Sequence, residues 1–360
     1  MGLAQLKYGL LAGLGFGLAG CSQQKIAVPH FSLDQCSRVS LIDEQSGEAV
    51  RGAEDLVFDV DHGRIFVAAY DRRKTEKAAK KANSELPPSG GIYAIAIDQV
   101  FARGIDEIVV SPLALPHEFS GGLRPHGMTY DAHNKELIFI NRTYAKDGRK
   151  WKMTPHLQRI GANGEVFVGT TTDVPCAANN VVSTDGGVLT SFDHASCGWQ
   201  AGIENLFNLK RSGLADGINP IFKGVGFANG IEVTTDGDIA LAATRENALI
   251  ILNPNNDKVS ELARIELPGG PDNLTIAPDG KIVAAVHPKM LKLALNRKLG
   301  FGKAPSRIIK ADPDTAEVEI LFNDPDGAIF SAATVGVSLP KGLVLGSVTD
   351  AGLLVCREEM

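Results

Sequence analysis

From about residue 50 onward the chain repeats one pattern: a polar residue or pair, a short aliphatic strand, a turn carrying Asp or Gly, then a second apolar strand. Six copies begin at Glu54-Asp55, His126-Gly127, Asn179-Asn180, Asn229-Gly230, Asp272-Asn273 and Ala333-Thr334. The turns include Asp61-His62-Gly63, Asp185-Gly186, Asp236-Gly237 and Asp279-Gly280, which is hairpin chemistry. Mean spacing is about 56 residues, near the length of a propeller blade with loop insertions added. Few stretches have a helical period. The pattern therefore predicts an all-β fold, a six-bladed β-propeller closed by its N- and C-terminal strands. Two Greek-key sandwiches would not account for six equivalent copies.

The segment before the repeats has a different character. Residues 1–21 hold one early lysine, Lys7, an apolar run from Tyr8 to Gly20 and then Cys21. The run is too short for a spanning helix, which needs roughly 20 apolar residues. Leu18-Ala19-Gly20-Cys21 matches a bacterial lipoprotein box, with Cys21 acylated. The expected organisation is a signal peptide over 1–21, a linker over 22–35 and the propeller over 36–360. The expected location is the cell envelope, lipid-anchored and facing the periplasm, with Ser22 after Cys21 leaning towards the outer membrane.

An exported domain keeps disulfides. Besides Cys21 the chain has Cys36, Cys176, Cys197 and Cys356, which allow three pairings. Proximity favours Cys36–Cys356, tying the ends, and Cys176–Cys197. No CxxC or HxxxH spacing suggests zinc. The net charge of −6, with 44% hydrophobic and 22% charged residues, describes an ordinary globular chain and makes nucleic acid an unsuitable partner.

Equivalent positions of a propeller lie at equivalent radii, so Glu54, His126, Asn179, Asn229, Asp272 and Ala333 are expected to converge on the central channel. Two carboxylates and several amide oxygens, Asn273 among them, form a hard all-oxygen set suited to calcium. Five polar residues at one register of an apolar pattern would otherwise stand unpaired near a core. His126, with an ordinary pKa near neutrality, is the candidate general base, and Asp272 is the alternative base or nucleophile. No GxSxG elbow is present. Residues 71–91 read as a mobile solvated loop. Residues 289–303 read as a cationic amphipathic helix that forms a lid, lies on anionic lipid or packs on the rim.

Gly52-Ala53-Glu54-Asp55-Leu56, Arg124-Pro125-His126-Gly127-Met128, Phe227-Ala228-Asn229-Gly230-Ile231, Pro271-Asp272-Asn273-Leu274 and His287-Pro288 together resemble the paraoxonase/arylesterase family, within the gluconolactonase (senescence marker protein) group of six-bladed propellers. The resemblance implies a catalytic calcium held by Glu54, Asn179, Asn229, Asp272 and Asn273. It implies a second calcium near Asp55, Met128 and Asn180. The family has an acidic residue where this chain has Asn180, so that ion is expected to be weak or absent. It also implies a disulfide between Cys36 and Cys356 and places His287 in the substrate pocket. The family's second active-site histidine falls at Asn141-Arg142-Thr143, so no imidazole relay carries over. The activity implied is calcium-dependent hydrolysis of lactones or aryl esters. A sugar-lactone hydrolase and a non-catalytic, calcium-stabilised binding propeller are the alternatives.

Overall fold

The structure, a computed structural model, describes residues 28–165, 171–254 and 259–359. The expected signal peptide with Cys21 and the start of the expected linker lie outside the described residues. Six antiparallel sheets form the blades of a propeller. Their innermost strands are Ala53–Asp59, Pro125–Asp131, Ala178–Thr184, Ala228–Val233, Gly270–Ile276 and Ala333–Leu339, one for each repeat (blades 1 to 6).

Alternate residues of a strand face opposite sides of its sheet, and in a propeller both sides are buried. In blade 1, Ile65, Val67 and Ala69 pack towards blade 6, while Phe66 and Ala68 pack towards blade 2. That two-sided burial explains why the second strands read as continuous apolar runs. An apolar cluster of this kind fills the space between each pair of neighbouring blades.

Closure follows the expected route. Strand Cys36–Asp43 completes blade 6 beside Leu353–Arg357, with Cys36 opposite Cys356 and the two joined as a disulfide. Glu107–Val110 adds a parallel strand outside it. The second disulfide is Cys176–Cys197. The linker ends earlier than expected. Phe31 is already buried in the cluster between blades 5 and 6, and the amides of His30 and Phe31 donate to the carbonyls of Ile320 and Leu321.

Three helices follow the second strands of blades 1, 3 and 5: Arg72–Lys80, Trp199–Leu206 and Met290–Leu299. The first corrects the reading of 71–91 as a mobile loop. Asp71 caps it by accepting the Lys74 amide hydrogen at 2.9 Å, and Arg72, Thr75 and Ala79 form its buried face. The turn after it is held by the buried Arg124, which donates to the carbonyls of Pro87, Pro88 and Gly121. Among the described residues no helix is long and apolar enough to cross a membrane.

Candidate metal centre and substrate pocket

Every inner strand carries a β-bulge at its polar pair, seen as a register shift between Ala53/Asp55, Pro125/Met128, Ala178/Val181, Ala228/Ile231, Pro271/Leu274 and Ala333/Val335. A bulge sets two residues against one, leaves the extra residue outside the ladder and re-aims its side chain. Six bulges at one height produce a ring of Glu54, His126, Asn179, Asn229, Asp272 and Thr334, all lining one cavity of about 70 Å³. The sixth position differs from expectation. Ala333 still pairs with Ser347, so the bulged residue is Thr334, whose hydroxyl donates to the Glu54 carbonyl at 2.8 Å.

The second residue of each pair forms a layer beneath. Asp55, Asn180 and Asn273, from blades 1, 3 and 5, meet there. The Asn180 amide donates to Asn273 Oδ1 at 3.0 Å and to Asp55 Oδ2 at 3.5 Å, and the Asn273 amide donates to the Glu54 carbonyl at 2.8 Å. Blades 2 and 4 contribute glycine instead, because their neighbours leave no room. A Cβ on Gly127 would lie 2.3 Å from Asn180 Cα, and one on Gly230 would lie 2.4 Å from the Asp272 carbonyl oxygen. The alternation of polar pairs with His-Gly and Asn-Gly in the sequence is thus a packing rule of the channel.

The two layers differ in what they offer a cation. In the upper ring Asn179 Oδ1 and Asn229 Oδ1 are buried and without a hydrogen-bond donor. An orphaned buried carbonyl is costly unless something fills its lone pairs. Glu54 and Asp272 stand in the same ring, so the donor set is hard, all-oxygen and dianionic, which fits a calcium ion. Among the described residues no three His, Cys, Asp or Glu side chains gather as a ligand group, so the set depends on the asparagines. In the lower layer Asp55 accepts from the amides of Leu56 and Met128, and Asn180 Oδ1 accepts from the Val181 amide. Those oxygens are already satisfied, and Met128 faces Asp55 with its N–H. The residues named for a second calcium come together but do not fit one.

Both histidines of the cavity are tied to the carboxylates. His126 Nδ1 lies 2.6 Å from Glu54 Oε2 and 2.8 Å from Arg72 Nη2, so it donates to the carboxylate or accepts from the guanidinium, one at a time. Burial, reinforced by the positive charge of Arg142 and outweighing Glu54, pushes the imidazole down to about 3. Burial alone would raise Glu54, but His126 and Arg72 beside it hold the carboxyl at about 2. Beneath it, burial and the Glu54 charge raise Asp55 well above the usual carboxylate range.

On the opposite side Asp272 accepts from the Asn229 amide and pairs with His287 Nε2, both at 2.6 Å, and His287 Nδ1 has no partner. The set Asn179, Asp193, His194 and Phe227 runs outward from the ring: Asn179 donates to Asp193 at 3.5 Å, Asp193 pairs with His194, and His194 stands edge-on to Phe227, a cavity wall.

Phe227, Thr244, Met290, Leu293 and Val348 complete the walls together with Arg72, Arg142 and Arg297. The helix Met290–Leu299 thus roofs the cavity with one face, while Leu291, Leu299 and Phe301 remain exposed. Sequence reasoning missed Arg72, Arg297 and Thr334. For Thr334 the repeat register was a usable signal. For the arginines no signal existed, since both lie in helices inserted between strands.

No curated protein matches the chain. Similar solved structures include a gluconolactonase from Xanthomonas campestris, at 10% identity over 86% of this chain and 87% of that one, with a TM-score of 0.49. The periplasmic gluconolactonase of Pseudomonas aeruginosa is 10% identical over 88% and 91%, with a TM-score of 0.47. Residues 213–357, which contain Asn229, Asp272, Asn273, His287 and the C-terminal closing strand Leu353–Arg357, match the arylesterase family model, and the resemblance to that family holds over this stretch.

Proposed function

We propose that the chain is a calcium-dependent hydrolase of lactones or aryl esters, anchored in the cell envelope through Cys21, with the exposed Leu291, Leu299 and Phe301 available to the lipid surface. The observation that carries the reading is the pair of orphaned, buried amide oxygens, Asn179 Oδ1 and Asn229 Oδ1, in one ring with Glu54 and Asp272. These four residues would hold the ion; Asn273, expected with them, stands in the layer beneath with its Oδ1 already accepting from Asn180. Calcium, when bound, supplies Lewis-acid polarisation of a carbonyl and stabilises negative charge on its oxygen.

The protein's own groups do the rest. Phe227, Met290, Leu293 and Val348 exclude water from the cavity, which strengthens every charge inside it. Asp272 orients His287 through Nε2 and leaves Nδ1 as the nitrogen able to take a proton from attacking water. His126 shares its Nδ1 between Glu54 and Arg72, and its part in this reading is to fix Glu54. Asp272 is the orienting carboxylate of the pair, as in other carboxylate–imidazole arrangements.

Asp272→Asn and His287→Gln, assayed with phenyl acetate and an aliphatic lactone, test this assignment. Both should lose at least about a hundredfold in kcat, in line with the loss of a general base. Full activity in either variant contradicts the assignment.

A further inference from the structure

Three guanidiniums from three blades meet in this cavity. Arg72 comes from the first turn of helix Arg72–Lys80, Arg142 from the long second strand of blade 2, and Arg297 from helix Met290–Leu299. Their partners do not account for them. Arg72 lies 3.4 Å from Glu54 Oε1. Arg142 donates to the Tyr70 hydroxyl at 3.3 Å. Arg297 makes no hydrogen bond or ion pair with another described residue. The Nε–H of all three is buried and unpartnered, and Arg72 is only 5% exposed.

Guanidinium does not shed its proton in a protein, so a cluster of this kind keeps its charge and its mutual repulsion. Three such cations against the two carboxylates of the cavity, Glu54 and Asp272, leave a net charge of +1 before any metal is added. Glu76 faces the cluster from helix Arg72–Lys80 but forms no ion pair with it. The field is strong enough to hold the buried Tyr70 hydroxyl below its ordinary range, against the effect of burial, through Arg142 and Arg72.

The cluster also has an entrance. Arg72 and Arg297 form the wall shared with a groove of about 180 Å³, lined further by Arg51, Arg73 and Lys74, with Asp71 as its one acidic residue. A basic groove bordered by guanidiniums whose Nε–H groups lack partners concentrates anions at the cavity mouth. Planar N–H forks bind carboxylate or phosphate oxygens in pairs.

We propose that Arg72, Arg142 and Arg297 form an anion-recognition site, so that the ester or lactone taken by this protein carries a negatively charged substituent, a carboxylate or a phosphate. The substrate part rests on the hydrolase reading above; the anion site does not. Arg72 touches His126 and Glu54, so the test uses the other two arginines.

In the full-length protein, kcat/KM is measured for phenyl acetate against monophenyl succinate, and for one lactone with and without a phosphomonoester group. The ratio of charged to neutral substrate should exceed one in the native protein and fall about tenfold or more in Arg142→Gln and in Arg297→Gln. Arg297→Lys, which keeps the charge and loses the fork, should fall in between. The substrate pair with the larger drop identifies carboxylate or phosphate as the group recognised.

Thermal unfolding with inorganic phosphate is read in parallel: phosphate should raise the Tm of the native protein and not that of the double variant Arg142→Gln/Arg297→Gln. No turnover of any substrate, with phosphate protection lost in the double variant, would leave the anion site standing and remove the hydrolase. Turnover with an unchanged ratio in the variants, or equal phosphate protection in all of them, overturns the anion site.

Discussion

Asn229 gives its amide hydrogen to Asp272 at 2.6 Å and keeps its own carbonyl oxygen buried with no donor. The contact fixes the direction of both side chains, and Asn229 shares its ring with Glu54 and Asp272, a donor set suited to a hard cation. Asn179, one blade earlier in the sequence, repeats the arrangement with Asp193 as its acceptor.

A first prediction follows for Asn229→Ala. With calcium chelated, it loses one hydrogen bond and also one unsatisfied oxygen, so its Tm should stay close to that of the native protein. With calcium at about a hundred times its dissociation constant, the native protein should gain about 2.7 kcal/mol of stability and the variant much less. Differential scanning calorimetry in EGTA and in excess calcium reads both. Equal calcium-dependent shifts in the two proteins would remove Asn229 from the metal site.

The channel glycines give a second. Gly127→Ala places a Cβ 2.3 Å from Asn180 Cα, a backbone atom that cannot step aside without moving blade 3. Overpacking of this kind costs about 1–3 kcal/mol, and the displaced layer carries Asn179 directly above it. Denaturant unfolding should show the loss, together with weakened calcium binding. A variant as stable as the native protein would mean that the two blades are less closely packed than described.

Closure of the ring yields a third. Cys36–Cys356 spans 320 residues and Cys176–Cys197 only 21. Constraint of the unfolded chain grows with loop length, so Cys36→Ser/Cys356→Ser should cost more than Cys176→Ser/Cys197→Ser, each on the order of 2–5 kcal/mol. Chemical denaturation of the two double variants, followed by fluorescence, ranks them. The reverse order would locate the stabilisation in the blade 3 loop instead.

Glu232 supplies a pH dependence. It lies three residues beyond Asn229 on the same inner strand, and burial pushes its carboxyl up to about 7. The folded protein therefore holds this proton more tightly than the unfolded chain does. The associated stability is fully present below about pH 4.5 and is lost as the pH rises through 7. Glu232→Gln should be more stable than the native protein at pH 8, and the difference should vanish at pH 4. Parallel stability curves at all pH values would contradict the assignment.

Much of this was legible in the sequence because the fold repeats. Asp-Gly turns, two-sided apolar strands and a recurring polar pair are local features, and each of the six copies supports the others. The ring could be read for five blades since Glu, His, Asn and Asp are out of place at the start of an apolar strand. Thr334 was displaced by one residue because threonine is an ordinary strand residue, and only its alignment with Glu54, each directly after the alanine that opens the strand, marks the bulge. The bulges themselves were not foreseen, although they explain why polar residues come in pairs. Arg72 and Arg297 escaped for a different reason. They reach the channel from insertions whose direction is set by contacts between blades, and the charged run containing Arg72 resembles any solvated loop until Asp71 caps it as a helix.

If the upper ring holds calcium and hydrolysis depends on it, titrating chelated protein with free calcium, with phenyl acetate turnover and Tm recorded on the same samples, separates the two roles of the ion. Both should rise together, with one midpoint, and chelation should reverse both. Turnover unaffected by chelation would contradict that reading, as would a Tm that rises with calcium while no ester or lactone is hydrolysed.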